Sequence, residues 1–151
     1  MSLLEGIKSE TKPHKKGLLY TDGGSRGNPG ISGCGYVLYT KDEDGKLLEL
    51  DRGGLFTGEA TNNVAEYHGL IEGMKLALSH EITDLWVRMD SNLIIEQMSG
   101  NWKIKHPDMK TLFLKAKALE EDFVSVDYQH VRREKNTIAD SLANEVMDRH
   151  G

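Results

Sequence analysis

Cysteine is nearly absent from the sequence, and long apolar runs are missing from it. The 151 residues include one cysteine, Cys34, so an internal disulfide is excluded and nothing ties the fold to an oxidising compartment. No apolar run approaches the roughly 20 residues that a membrane-spanning helix needs, and the first residues lack the apolar core and cleavage site of a signal peptide. The sequence therefore predicts a cytoplasmic protein with no membrane partner.

A positive net charge is also missing. The net charge is -5, which argues against a protein that coats nucleic acid by bulk electrostatics but leaves room for a local basic strip. The length suits one domain. Residues 1–16 are polar and have no periodic apolar pattern, so we expect a flexible N-terminal tail followed by one domain over residues 17–151.

Apolar periodicity divides this domain into strands and helices. Aliphatic or alternating runs predict strands, and an apolar residue every three or four positions predicts helices. Gly53 and Gly54 are expected to end the third strand, and residues 23–30 to form a glycine-rich loop. The expected fold is α/β, a mixed five-stranded sheet whose first three strands are antiparallel, flanked by helices. The predicted strands cover residues 18–22, 33–40, 46–52, 85–89 and 124–131, and the helices cover 61–79, 91–99, 108–122 and 137–149.

Four acids stand where these elements begin or end, and each has an ordinary structural explanation. Asp22 ends the first strand ahead of two glycines and suits a turn. Glu66 follows Asn63 at the spacing of a helix capping box, although it borders the apolar face of its helix. Asp90 precedes a helix start, where caps are common, and Asp140 lies in a first turn, where the helix dipole favours an acid. Taken singly, each acid is best explained by structure.

Taken together, the four acids favour a metal site. Reactive groups of open α/β sheets gather at the ends of neighbouring strands, and four converging carboxylates repel one another unless a cation lies among them. Oxygen ligands without a Cys or His cluster favour Mg²⁺ or Mn²⁺ over zinc. A pair of such ions, about 3.5–4 Å apart, suits in-line phosphodiester cleavage. A nucleotide-binding P-loop is excluded, because the glycines are not followed by Gly-Lys-Ser/Thr.

Four sequence blocks carry a resemblance to a known family. They are DGGS with GNPG over residues 22–30, TNN-x-x-E over residues 61–66, MDS over residues 89–91, and His130 with N-x-x-AD over residues 136–140. In this order the sequence resembles the ribonuclease H type I family from residue 17 to about residue 149. The resemblance implies a ribonuclease H-like fold and an endonuclease that cuts the RNA strand of RNA–DNA hybrids.

The resemblance also implies the catalytic residues. Asp22, Glu66, Asp90 and Asp140 would carry two Mg²⁺ ions, for which Mn²⁺ substitutes, and the products would have 5′-phosphate and 3′-hydroxyl ends. Glu66 would also touch an RNA 2′-hydroxyl. His130 matches the auxiliary catalytic histidine of the family, and a surface histidine at a strand end is the alternative.

A further set of residues is expected to contact the hybrid. Glycine has no Cβ, so the backbone of this stretch can approach the wide minor groove where the RNA 2′-hydroxyls lie. For Asn62 and Asn63 the alternative is helix capping, for Asn28 a turn, and for Trp102 a loop pinned to the core. The expected hybrid-binding residues are Gly23, Gly24, Ser25, Asn28, Thr61, Asn62, Asn63, Asn92, Trp102, Lys103 and Lys105.

Three departures from the family pattern set the remaining expectations. Residues 100–107 replace the long basic handle of many bacterial members, Arg132 stands where many members have a glycine after the histidine, and Glu59 stands where some have an arginine. These changes predict a weaker grip on the substrate. Some members without the handle also cleave RNA–RNA duplexes, so double-stranded RNA is a second expected substrate. A monomer is expected because no coiled-coil seam is visible.

Two other function classes remain open at this stage. A non-cutting hybrid-binding module would have no use for four mutually repelling carboxylates. A related integrase or junction nuclease would have no use for the TNN-x-x-E block, which suits a 2′-hydroxyl.

Overall fold

The computed structural model describes residues 13–151, which form five strands, four α-helices and a short 3₁₀ helix. The strands are β1 (Lys16–Gly27), β2 (Gly30–Lys41), β3 (Leu47–Ala60), β4 (Asp84–Met89) and β5 (Ser125–His130). The α-helices are α1 (Asn62–Ser79), α2 (Asn92–Met98), α3 (Pro107–Glu120) and α4 (Thr137–His150), and the 3₁₀ helix is Arg133–Lys135.

The strands form one mixed sheet in the order β3-β2-β1-β4-β5. β1 is antiparallel to β2, β2 is antiparallel to β3, and β4 and β5 run parallel to β1. A Cβ on Gly23 would meet α1, whereas a Cβ on the next residue, Gly24, would meet Met147 of α4. Because consecutive strand residues point to opposite faces, α1 and α4 lie on opposite faces of the sheet. The predicted α/β architecture is confirmed.

Two predicted strand ends are wrong. The glycine stretch is not a loop, because β1 continues to Gly27 and pairs with β2 as far as the Gly27–Gly30 pair. The chain reverses only at Asn28 and Pro29, and Gly27 has a φ of 111° that suits glycine. β3 likewise continues through Gly53 and Gly54 to Ala60. A Cβ on Gly23 would meet α1 and a Cβ on Gly54 would meet α4, whereas a Cβ on Gly53 would meet the Tyr36 side chain of β2.

The core lies between the sheet and α1, whose apolar positions face Leu19 and Val87 of the central strands. α1 begins after Thr61, whose hydroxyl accepts a hydrogen bond from the Val64 N–H at 3.3 Å. α3 packs against α1 on the same face. The burial of Leu70 and Met74 on α1 follows from the helical spacing, which places them on one stripe.

The tail expected over residues 1–16 lies, for residues 1–12, outside the described residues. Lys16 already belongs to β1, and the Lys15 carbonyl accepts a hydrogen bond from the Thr83 N–H at 2.8 Å. Within residues 13–151, no helix is both long and apolar enough to cross a membrane.

Gly23 allows the tightest approach between α1 and the sheet, and we expect Gly23→Ala to destabilise the protein. The added Cβ would overlap the backbone of Ala65 and Glu66, which cannot move without shifting the helix. Overpacking of this kind costs about 1–3 kcal/mol. Urea denaturation should show this loss in the free energy of unfolding.

The matched control is Gly24→Ala on the opposite face of the same strand. There the added Cβ would meet the flexible end of Met147 at 3.3 Å, so its cost should be much smaller. Equal stability losses for the two variants would contradict the close-approach explanation.

Candidate active site

The register of the two central parallel strands places Asp22 beside Asp90. Tyr20 of β1 pairs with Arg88 of β4, so the residues two positions further along each strand are also neighbours. Asp22 continues β1, whereas Asp90 directly follows the end of β4. Asp22 is buried and Asp90 is half-buried. The two residues are neighbours, but Asp22 lies inside β1, which continues to Gly27, and not at the strand end that the sequence predicted.

α1 brings Glu66 to the same place. Glu66 is 7% exposed, and its Oε1 accepts a hydrogen bond from Asn62 Nδ2 at 2.8 Å. The capping box predicted for Asn63 and Glu66 is wrong, because Thr61 is the N-cap and the Glu66 side chain turns toward the sheet. The reason is packing, since the backbone at Glu66 lies directly over Gly23.

α4 brings Asp140 from the opposite face. The buried side chain of Asn136 donates from Nδ2 to the Thr21 carbonyl at 2.8 Å, and the Asn136 carbonyl accepts from the Asp140 N–H at 3.1 Å. Asn136 therefore ties the start of α4 to the residue that precedes Asp22.

The four carboxyl groups disturb one another electrostatically. Burial, the charge of Asp90 and a hydrogen bond with Asp140 together raise the pKa of Asp22 to about 9. Burial, with a smaller contribution from Asp90, raises the pKa of Glu66 to about 7. Each shift means that a second or third negative charge is unfavourable here without a compensating cation.

All four acids line one open cleft of about 420 Å³. His130 reaches the same cleft from the end of β5, and its Nε2 lies 3.2 Å from the Asp90 carbonyl oxygen. Arg132 and Arg133 follow on the rim, and the Arg133 guanidinium is 3.8 Å from the Asp140 carboxylate. The cleft thus brings together predicted site residues from β1, α1, α4 and the ends of β4 and β5.

The donor set of this cleft fits a hard divalent cation. Glu66 Oε2 is buried and has no hydrogen-bond partner among the described residues, so it is available as a ligand. The cleft offers carboxylate oxygens, which Mg²⁺ and Mn²⁺ prefer. Within residues 13–151, however, no three acidic, His or Cys side chains already converge closely enough to hold a metal ion.

Three asparagine and serine residues of the predicted hybrid surface form a network beside the cleft. The Asn62 side chain accepts from the Ser25 N–H at 3.1 Å while it donates to Glu66. The Asn28 side chain accepts from the Asn62 N–H at 3.1 Å. Hydrogen bonds therefore link these residues to one another and to Glu66, a predicted metal ligand. Their contacts with nucleic acid stay a prediction.

The remaining predicted binding residues lie further along the same side. Asn63, Trp102, Lys103 and Lys105 line a second groove of about 500 Å³, and Trp102 is 47% exposed. Thr61 serves as the α1 cap, whereas Asn92 is exposed at the first turn of α2 and lines neither groove.

Sequence reasoning did not assign a role to two asparagines on α4 or at its start. Asn136 orients the helix start, and Asn144 lines the cleft and donates to the Asp140 carbonyl at 3.0 Å. The signal for Asn144 was its spacing of four residues from Asp140, which places both on one helix face. The signal for Asn136 was its place in the N-x-x-AD motif. Its contact with Thr21 could not be predicted from local pattern, because it joins residues 115 positions apart.

Comparison with known proteins agrees with this geometry. Residues 20–146 match the family model described as reverse transcriptase-like. The ribonuclease HI of Halobacterium salinarum is 38% identical over 144 residues, which cover 94% of this chain and 70% of that protein. The bifunctional protein Rv2228c of Mycobacterium tuberculosis is 49% identical over 133 residues, and this chain spans 36% of its length.

Solved structures give the same result. The N-terminal RNase H domain of the Mycobacterium tuberculosis protein superposes with a TM-score of 0.84 at 47% identity, covering 89% of this chain and 95% of that one. LC11-RNase H1 in complex with an RNA/DNA hybrid superposes with a TM-score of 0.79 at 40% identity, covering 89% and 98%. With its four carboxylates in one cleft and these relatives over nearly its whole described length, the chain belongs to the ribonuclease H family.

Proposed function

We propose that this protein is an endoribonuclease that hydrolyses the RNA strand of RNA–DNA hybrids and leaves 5′-phosphate and 3′-hydroxyl ends. The observation that carries the proposal is the meeting of Asp22, Glu66, Asp90 and Asp140 in one cleft. The relative LC11-RNase H1, solved with an RNA/DNA hybrid, supports the choice of substrate. A cytoplasmic location and a monomeric state, both predicted from the sequence, stay predictions.

Two Mg²⁺ ions, or Mn²⁺ in their place, are the cofactor that we propose for the four carboxylates. Such ions, when bound, supply positive charge to the attacking water and to the leaving 3′ oxygen. Asp22 and Asp90 would hold them on the rigid centre of the sheet, while Glu66 and Asp140 would close the ligand set from the two helices. The unpartnered Glu66 Oε2 supports this assignment.

His130 is proposed as an auxiliary group for proton movement. Its ring is exposed at the rim of the cleft and lies against the Asp90 carbonyl through Nε2. An imidazole can accept or donate a proton in a reaction, and its position beside Asp90 places this one next to the proposed reaction centre. The charged segment Arg132–Lys135 follows it at the rim and would meet phosphates.

Hybrid recognition is proposed for the surface of β1 and the start of α1. Gly23, Gly24 and Ser25 present backbone close to the cleft, and Asn28 and Asn62 lie beside them through the hydrogen bonds described above. An enzyme that requires RNA must contact 2′-hydroxyls in a wide, shallow minor groove. Because Asn62 bonds both Ser25 and Glu66, this surface would align a ribose with the metal ligands.

The second groove is proposed to hold the DNA strand. Trp102 would stack on a sugar or base, while Lys103 and Lys105 would contact phosphates. Asn63 lines the same groove and joins it to the surface at the start of α1. This groove would do in part what a longer basic handle does in other members.

A non-cutting hybrid-binding module is the alternative function. Its weakness is energetic, because a binder would gain nothing from carboxyl groups whose pKa values are raised by burial and by the charge of Asp90. Double-stranded RNA is proposed as a second substrate, because its wide minor groove also presents 2′-hydroxyls.

We expect Asp90→Asn to abolish cleavage of a labelled RNA–DNA hybrid in Mg²⁺ while the protein stays folded, because the change removes ligand charge and leaves side-chain volume nearly unchanged. A loss of about 10³-fold or more in kcat is expected, as for removal of an electrostatic group from an active site. Single-turnover cleavage and circular dichroism would measure the two effects.

The control is Asp44→Asn, which changes an exposed acid in the turn between β2 and β3 and should keep full activity. RNA–RNA and DNA–DNA duplexes of the same sequence test the substrate class. Full activity of Asp90→Asn, or equal cleavage of DNA–DNA and hybrid, would contradict the proposed function.

The raised pKa values predict an unusual pH dependence for the metal-free protein. Asp22 and Glu66 have ordinary unfolded-state pKa values of about 3.9 and 4.3, whereas the folded-state pKa values are about 9 and about 7. The native state thus binds more protons, so stability present below about pH 4 is lost as pH rises through these folded-state values. Asp22→Asn should therefore raise the free energy of unfolding at pH 8 by roughly 1–3 kcal/mol.

Mg²⁺ should stabilise the natural protein more than it stabilises the Asp22→Asn variant. It should raise the Tm of the natural protein, because a ligand of the native state stabilises it, and should raise that of Asp22→Asn much less. Thermal melts at pH 5 and pH 8 with EDTA or Mg²⁺ measure both effects. A natural protein whose metal-free stability rises between pH 5 and pH 8 would disagree with this electrostatic picture.

Loss of the two lysines of the second groove should affect substrate binding more than chemistry. For the double variant Lys103→Ala/Lys105→Ala, we expect KM for a hybrid to rise about tenfold at low salt, with kcat nearly unchanged, because phosphate contacts position the duplex. Steady-state kinetics at two salt concentrations would measure the split. The double variant Lys75→Ala/Lys115→Ala, on helices away from the cleft, is the control, and a fall in kcat without a change in KM would refute the assignment.

A further inference from the structure

α4 covers only part of its face of the sheet. Its backbone packs against Gly33 and Gly35 of β2, and its first residues line a cavity with Val37 and Tyr39. Further along the sheet, the groove around Leu18 is lined by strand residues and by no described helix residue. The register pairs Leu18 with Tyr39 on one side and with Trp86 on the other. These three side chains form a row across β2, β1 and β4.

The row lies in a groove of about 340 Å³, here named the aromatic groove. Trp86 is 38% exposed and Leu47, at the edge of the groove, is 47% exposed. A large aromatic side chain open to solvent on an inner strand is unusual, because strands inside a sheet normally bury such groups against a second layer. The residues of the aromatic groove are Lys16, Leu18, Tyr39, Lys41, Leu47, Trp86 and Arg88.

Cationic side chains surround the aromatic rings. Lys16 Nζ lies 5.7 Å from the centre of the Trp86 ring, and Lys41 lines the same groove. The Arg88 guanidinium lies 5.7 Å from the Tyr20 ring and donates to the Tyr20 hydroxyl at 2.8 Å. The groove is therefore fitted to a ligand that has both flat rings and negative charge.

The nearby acids do not cancel this charge. Glu49, the register partner of Tyr39, is held by two hydrogen bonds from Arg52, at 2.7 and 2.6 Å. Asp127 of β5 pairs with Trp86. Asp84 of β4 pairs with Lys16, but its carboxylate lies 2.7 Å from His14 Nδ1 and accepts hydrogen bonds from the hydroxyls of Thr83 and Ser125. The three cations of the groove outnumber these two acids, so the groove is locally basic in a chain whose net charge is -5.

A basic path joins the aromatic groove to the catalytic cleft. Lys135 lines a cavity with Tyr20, Tyr39 and Leu47, and Arg132 and Arg133, a few residues earlier, line the cleft. Leu18 precedes Asp22 by four residues on β1, a separation of about 13 Å along the strand. This continuity favours a polyanion that spans both regions over a folded protein partner.

We propose that the aromatic groove binds single-stranded nucleic acid, with bases stacked on Trp86 and Tyr39 and phosphates held by Lys16, Lys41 and Arg88. Open sheet faces with aromatic side chains bind unpaired bases in this way, and each stacked base adds measurable affinity that does not depend on sequence. The groove lies outside the cleft, so the proposal does not depend on the cleavage function.

Tryptophan fluorescence tests the proposal directly, because the chain has only two tryptophans. In a Trp102→Phe background, Trp86 is the single tryptophan, and a ten-nucleotide oligo(dT) should quench its emission saturably in EDTA, which prevents cleavage. The double variant Lys16→Ala/Lys41→Ala in this background should bind at least about fivefold more weakly at low salt, and the salt slope should fall by about 1.4. Lys75→Ala/Lys115→Ala, on α1 and α3, should match the background protein.

A second measurement separates the groove from the cleft. Trp86→Leu, in the otherwise natural chain, should weaken anisotropy-measured binding of labelled oligo(dT) at least about fivefold and leave kcat on a blunt hybrid unchanged. A blunt hybrid that occupies the cleft should not relieve the quenching of Trp86. Absence of saturable quenching, equal binding by the two double-lysine variants, or full displacement by the blunt hybrid would each overturn the proposal, the first of them leaving a protein segment as the occupant to test.

Discussion

The close approach of two helix backbones to glycines of the central strands is the constraint on which the catalytic cleft depends. α1 lies against Gly23 and α4 lies against Gly35, so that a single added methyl group at either strand position would meet helix backbone. Glu66 and Asp140 extend from these two helices, and their side chains are short. The two carboxyl groups line one cleft with Asp22 because both helices lie so near the sheet. Packing thus determines where the charges meet.

That packing buries acidic side chains close together, which is electrostatically unfavourable. The other residues of the site reflect this. Asp22 is buried beside two acids and Glu66 is buried with one oxygen unpartnered. Neutral groups hold these side chains in place: Asn62 binds Glu66, and Asn136 ties α4 to β1. Positive side chains such as Arg133 stay at the exposed rim. The interior of the cleft is therefore acidic, whereas its exposed rim carries basic side chains.

The sequence predicted those features that a local pattern of residues determines. Apolar periodicity predicted α1 and the central strands, and four acids at element ends predicted the cleft. Sequence reasoning failed at the glycines, because a glycine that ends a strand and a glycine that admits a helix look alike in one sequence. Gly23, Gly24 and Gly54 were misassigned for this reason. The uncovered row of Leu18, Tyr39 and Trp86 also escaped prediction, since it depends on the length of sheet that α4 covers.

The contact between Asn136 and Thr21 has a consequence for the order in which the protein becomes active. It joins residues 115 positions apart, and Asp140 reaches its neighbours only after this contact forms. Contacts between distant parts of a chain form late, because the entropy of closing the intervening loop must first be overcome. During synthesis the first three acids leave the ribosome long before α4 does. The nascent chain therefore lacks the fourth carboxyl group of the cleft until α4 docks on the sheet, and the cleft is completed only at that late step of folding.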